Sequence, residues 1–235
     1  VAAGLLLTLA GLASVAAWAW RYEPAFYRAA IVVDDDEQRE ASDEMLSQAA
    51  ALASAAQKQD QWSASFTDDQ INGWLAVDLP ENYPALLPAE ISQPRIHLGL
   101  GRATIACRYN EGNTATVVSI ELEAYMADPS TLALRICDMR AGAIPLPLGT
   151  ILEGLSQVAT SAEWPLRWTK AKGQPVALIP LSALGGDKAG FELESLELRD
   201  GAIYLAGRTA SGRPTPRAAA PTASRQPDAN SNVQR

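Results

Sequence analysis

Twenty residues at the start of the chain, Val1 to Trp20 (VAAGLLLTLAGLASVAAWAW), carry no charged side chain. At 1.5 Å per residue a helix of that length reaches about 30 Å, the thickness of a bilayer's hydrocarbon core. The run therefore predicts a membrane-crossing helix. Trp18 and Trp20 stand at its end beside Arg21 and Tyr22, the aromatic and cationic chemistry that settles among lipid headgroups. A cleaved signal peptide is the competing expectation, since Ala17-Trp18-Ala19 fits a small-x-small site, although the apolar run is longer than a usual signal core. Uncleaved, it makes the rest of the chain a domain tethered to a cell membrane, with the extracytoplasmic side as the expected location.

The remaining composition narrows what such a domain does. A chain of 235 residues that is 48% apolar can fill one substantial core. Its net charge of −8 argues against nucleic acid, whose binding draws affinity from Lys and Arg neutralising phosphates. Past Ser211 the balance is +3 (Arg213, Arg217, Arg225 and Arg235 against Asp228), which leaves about −11 for the folded part. Cys107 and Cys137 are too few for a disulfide framework or a four-cysteine zinc site, and leave either one bridge or two free thiols.

Residues 34 to 59 open on Asp34, Asp35, Asp36 and Glu37 and place Met45, Ala49, Leu52 and Ala56 at helical steps, predicting a helix with a narrow apolar stripe. The carboxylates suit the positive end of its dipole, so no metal is expected there. In FTDDQINGWL, Thr67 and Gln70 form a capping box and Phe66 and Ile71 a hydrophobic staple, so a second helix starts at Thr67. Ile71, Trp74 and Leu75 share one of its faces, suited to a core or an apolar cavity. LPENYPALLP, with three prolines, predicts a loop whose Leu86 and Leu87 are oddly apolar and suit lipid or a cavity mouth.

From Arg95 the period becomes two. Hairpins are predicted at Gly101-Arg102 and at Asp128-Pro129-Ser130, then a strand at Val176–Ile179 and a last hairpin at Asp200-Gly201, with one sheet face buried and one solvated. Between them AGAIPLPLGTILEGLSQVAT predicts a third helix, entered at Pro147 with Leu148, Ile151, Leu152, Leu155 and Val158 in register. Beyond 207 the Ala, Pro, Ser, Thr, Arg and Gln composition predicts a disordered tail. The expected organisation is an anchor (1–21), a membrane-proximal helical segment (22–64), an α+β domain (65–207) and the tail (208–235).

Reactive constellations are sparse. His97 is the sole histidine, and if Ile96 and Leu98 face the core it lies on the solvated side of an edge-like strand without a third group to orient it. Gly99-Leu100-Gly101 lacks the rest of a dinucleotide fingerprint. Glu194 and Glu197 should fall on opposite faces of an extended strand. No catalytic residue, cofactor or metal is therefore expected.

With TDDQINGWL opening a helix and GAIPLPLGTILEGL joining a sheet to a helix, the chain resembles the YpmS-like group of anchored bacterial envelope proteins, which look like distant members of the tubular lipid-binding (TULIP) superfamily. The resemblance spans roughly residues 65 to 207. It implies a curved antiparallel sheet packed with amphipathic helices and an apolar groove for an acyl chain, with Ile71, Trp74, Leu75, Ile151, Leu152 and Leu155 at the matching positions. The long Ala-rich helix at 41–58 and the acidic surface depart from that pattern. A non-catalytic lipid-binding or hydrophobic-ligand-binding protein is what the resemblance implies. The alternative is a structural or interaction module that meets another envelope protein through its acidic face or tail.

Overall fold

Alternating sequence becomes antiparallel strands throughout. The structure, a computed structural model, describes residues 2–112, 114–128, 130–147, 166–181 and 191–209, without the side chains of 2–9 and 191. A large sheet runs in the order β2 (Ile91–Gly99), β3 (Arg102–Glu111), β4 (Thr114–Asp128), β5 (Thr131–Ala141), β8 (Gln174–Pro180) and β7 (Arg167–Ala171), with the short β6 (Ile144–Pro145) also paired to β5. A second sheet of three strands has the order β1-β10-β9, from β1 (Gln61–Thr67), β9 (Phe191–Arg199) and β10 (Ala202–Thr209). The fold is α+β, with two sheets where one was expected. The difference comes from β1, whose Trp62 and Phe66 are buried while Gln61, Ser63 and Ser65 are exposed, and which pairs with the distant β10. β1 also crosses position 64/65, where the sequence reading divides helical segment from domain.

The large sheet is covered on both faces rather than one. Ala103 and Ala106 are three positions apart on β3 and so point oppositely. Ala103 packs with Leu98 and Leu198, where β9 and α4 (Asp68–Ala76) meet the sheet, while Ala106 packs with Val117 and Tyr27 of α2 (Ala25–Ile31). A third cluster joins Trp62, Leu181 and Leu193 to Leu52, Ala55 and Ala56 of α3 (Asp35–Lys58).

The helices follow their local signals. Asp34 caps α3 by accepting the Asp36 N–H at 2.9 Å, with three carboxylates in the first turn. At α4 both halves of the capping box are made: Gln70 N–H to Thr67 Oγ1 at 3.2 Å, and Thr67 N–H to Gln70 Oε1 at 3.0 Å. Crossing of the two helices requires Gly73, where a Cβ would lie 2.7 Å from both Gln38 O and Ser42 N. Among the described strands β2 is an edge, and the Asn72 amide closes part of it by bonding the N–H and the C=O of Ile96 at 2.7 and 2.9 Å.

Two further expectations need correction. LPENYPALLP is not a simple loop: α5 (Asp78–Asn82) and a 3-10 turn at Pro84–Leu86 form within it, with Leu79 buried and Ser42 bonded to Asp78. Glu194 and Glu197 lie on one exposed face, because Ala206 pairs with Ser195 but Gly207 with Leu193, making Glu194 the extra residue of a bulge that shifts the alternation. α1 (Ala2–Trp20) is one continuous helix, but among the described residues no helix is both long and apolar enough to cross a membrane, so the crossing expected at Val1–Trp20 is not established by the fold. The helix expected to carry Ile151, Leu152 and Leu155, with Trp164 and the tail past 209, lies outside the described residues.

Candidate functional site

The most elaborated junction in the molecule is the end of α1. A helix leaves its last four carbonyls without intrahelical partners, and here every one is bonded. Ala17 O and Trp18 O both accept the Arg21 N–H at 3.2 Å; Ala19 O accepts Ala143 N–H at 2.7 Å; Trp20 O accepts the Thr116 hydroxyl at 2.6 Å. The last two donors belong to the β5–β6 corner and to β4, so the sheet supplies the cap. Gly142 makes this approach feasible: its φ is +60°, and a Cβ there would lie 2.7 Å from Trp20 O and closer still to Ala19 O. The chain then stays on the sheet. Glu23 pairs with Arg108 at 2.6 Å, Tyr27 is fully buried with its hydroxyl donating to Gln93 O at 3.0 Å, and Arg95 gives Nε to Ala30 O at the end of α2.

Burial sets the electrostatics of this junction. It raises the Tyr27 phenol, against the opposing pull of the Arg108 charge, raises the Cys107 thiol, and lowers the Arg95 guanidinium. Both cysteines are free thiols. By contrast α1 beyond its last turn is bare: residues 10–18 are exposed, with Leu12 at 68% and Val15 at 64%. A helix with apolar side chains open all round has no covered face within this chain among the described residues.

The largest described cleft, about 780 Å³, lies between α3 and the outer side of β1, lined among others by Gln48, Ala51, Ala55, Gln61, Ser63 and Ser65. β1 ends its sheet. Thr209 N–H bonds Asp60 O and Asp68 N–H bonds Gly201 O, so the even positions of β1 direct their peptide groups to β10 and Gln61, Ser63 and Ser65 direct theirs outward.

Of the anticipated ligand-binding residues, Ile71, Trp74 and Leu75 are among the described ones. Ile71 packs into the Leu98–Leu198 core, Trp74 lies 6.0 Å from the Tyr83 ring, and neither they nor Leu75 line the cleft at β1 or the one beside His97. His97 is less solvated than its alternation implied: its ring stacks on Phe26 at 5.5 Å and its Nδ1 lies 3.5 Å from Asp68 Oδ2. The adjoining 290 Å³ cleft includes Asp69, Asn72 and Ile96 but no hydroxyl or thiol to serve as a nucleophile. Among the described residues no group of three or more His, Cys, Asp or Glu side chains could hold a metal.

Thr116, Gly142 and Ala143 were not singled out from sequence. Their one local signal is a glycine directly after the strand ending at Ala141, which marks a corner without naming what docks on it. No family model, no curated protein and no solved structure matches the chain.

Proposed function

We propose that this chain is a membrane-anchored, non-catalytic interaction module of the cell envelope, with α1 in the bilayer and the domain on the extracytoplasmic side. The observation that carries the reading is the contrast along α1, apolar and exposed through residues 10–18 yet fully capped by the sheet at Ala19 and Trp20. The ground for the span is the sequence, in which the twenty residues Val1–Trp20 carry no charge. A junction built this way presents the domain at a set height, and the cleft beside the β1 edge suits an extended segment of another envelope protein. After alkaline carbonate washing the full chain should stay with membranes, and a chain with Leu12→Arg and Val15→Arg should be released, since each arginine near the middle of a span costs about 2.5–3.5 kcal/mol. Release of the unaltered chain would sink the anchor. Cross-linking in intact membranes should capture one reproducible envelope protein through residues of α3 or β1.

Lipid handling, the second reading, has one observation of its own, the half-open apolar surface where Trp74 meets Tyr83, 50% exposed, three residues before Leu86, 57% exposed. A bound acyl chain would need no catalytic group, only apolar contact at about 0.8 kcal/mol per methylene. Native mass spectrometry of the gently solubilised full chain should then retain lipid in a fixed ratio. Its loss at the lowest activation that removes detergent would leave the interaction reading alone.

A further inference from the structure

The sheet register aligns a second apolar feature with the α1 junction. Ile91 pairs with Tyr109, and Tyr109 with Thr116, the residue that caps Trp20. Two strand spacings of about 4.8 Å thus separate the start of β2 from the exit of α1, at the same level of the sheet. Immediately before that start comes Tyr-Pro-Ala-Leu-Leu-Pro, residues 83–88, a run without charge in an otherwise acidic domain. Leu86 is only five residues from Ile91, so the tip lies within about 18 Å of it. Tyr83 and Leu86 are exposed, as are Pro84, Ala85 and Pro88.

Three of the four N–H donors of this tip are bonded to nearby carbonyls. Tyr83, Leu86 and Leu87 give their N–H groups to Leu79 O at 3.0 Å, Tyr83 O at 3.0 Å and Pro84 O at 3.4 Å. Pro84 and Pro88 have no N–H to give. A segment entering lipid must satisfy its donors internally, because water is absent there.

We propose that the tip Tyr83–Pro88 is a second bilayer contact, its Tyr83 and Leu86 side chains entering the headgroup and upper acyl region of the leaflet from which α1 emerges. The proposal rests on the anchor reading. The cap at the end of α1 sets which side of the domain faces the membrane, and a second contact off the helix axis holds that side against it. Glu81 and Glu90 flank the tip, so its partner is a zwitterionic lipid surface held by apolar contact, not an anionic one held by charge. The ring of Tyr83 against Trp74 supports the tip from the side of α4.

The test uses the full chain reconstituted in phosphatidylcholine–phosphatidylethanolamine vesicles. An environment-sensitive fluorophore is placed at Leu86→Cys or, in a separate sample, at Val15→Cys, with Cys107 and Cys137 replaced by alanine. The expected result is quenching at Leu86 by a nitroxide high on the acyl chain, at least twofold stronger than by one near its end, and quenching at Val15 by the deep nitroxide. Quenching at Val15 without quenching at Leu86 overturns the tip contact and leaves the anchor standing; absence of quenching at both overturns both. The unaltered chain in nanodiscs of the same lipids provides a measurement free of cysteine changes. A photoactivatable phosphatidylcholine should give adducts within residues 83–88, and adducts confined to residues 1–22 overturn the proposal.

Discussion

Replacing Tyr27 by alanine is expected to lower the unfolding free energy of the full chain by about 3–5 kcal/mol, the range for deleting a fully buried aromatic ring. The ring is 0% exposed and packs on Ala106 and Val117 with Phe26 and Ile31 around it, so its removal leaves a cavity where α2 meets the sheet. It also deprives Gln93 O of its donor. Tyr27→Phe separates the two effects, because it keeps the ring and loses only the hydrogen bond, for about 1 kcal/mol. Chemical denaturation in detergent should show the alanine variant with a lower midpoint and an unchanged slope. The phenol adds a pH signature. Burial raises its pKa above the ordinary 10.0, so its contribution is complete below that value and is lost as pH rises through the raised one. Tyr27→Phe should remove that alkaline component of unfolding. A loss below about 1 kcal/mol for Tyr27→Ala would mean that the segment between anchor and domain is only a tether, contrary to the packing.

That segment shows where sequence stops being informative. The capping box at Thr67, the acidic start of α3 and the hairpin glycines were legible because each is a local device: the residues that make it are within a few positions of one another. β1 was not legible. Its partner is more than 130 positions away, and QWSASFT has no turn beside it to announce a hairpin. Alternation also failed at Glu194, since a bulge inserts one residue without a compositional mark. The expected ligand face of α4 illustrates the same limit from the other side. A stripe of Ile71, Trp74 and Leu75 says that something apolar covers the helix, and here the Leu98–Leu198 core accounts for Ile71 and Tyr83 approaches Trp74. The α1 junction combines both difficulties, because Thr116 and Ala143 are ordinary residues made significant by a helix end about a hundred positions away.

Gly142→Ala should uncouple α1 from the sheet, and Gly112→Ala provides its control. Both glycines have nearly the same left-handed φ, +60° and +59°, so alanine costs each turn a similar amount, about 1–2 kcal/mol. Their surroundings differ. A Cβ at Gly112 meets nothing within 4 Å, whereas one at Gly142 meets the carbonyls of Ala19 and Trp20, which are backbone atoms and cannot rotate away. Relief requires the helix end to withdraw. Withdrawal breaks the bonds from Ala143 N–H and the Thr116 hydroxyl, each contributing about 0.5–1.5 kcal/mol. The added loss at Gly142 is therefore about 1–3 kcal/mol beyond the control, concentrated in local opening of residues 19–23. Trypsin cleavage after the exposed Arg21 reads that opening directly, since each 1.4 kcal/mol raises the open population about tenfold when closing is fast. Cleavage of the Gly142→Ala chain in nanodiscs should be faster than that of Gly112→Ala by about five- to a hundredfold, with both still folded by circular dichroism. Equal cleavage rates would mean that the cap contributes nothing to holding α1. The domain would then hang from a swivel, and the fixed orientation on which the Tyr83–Pro88 contact depends would be lost with it.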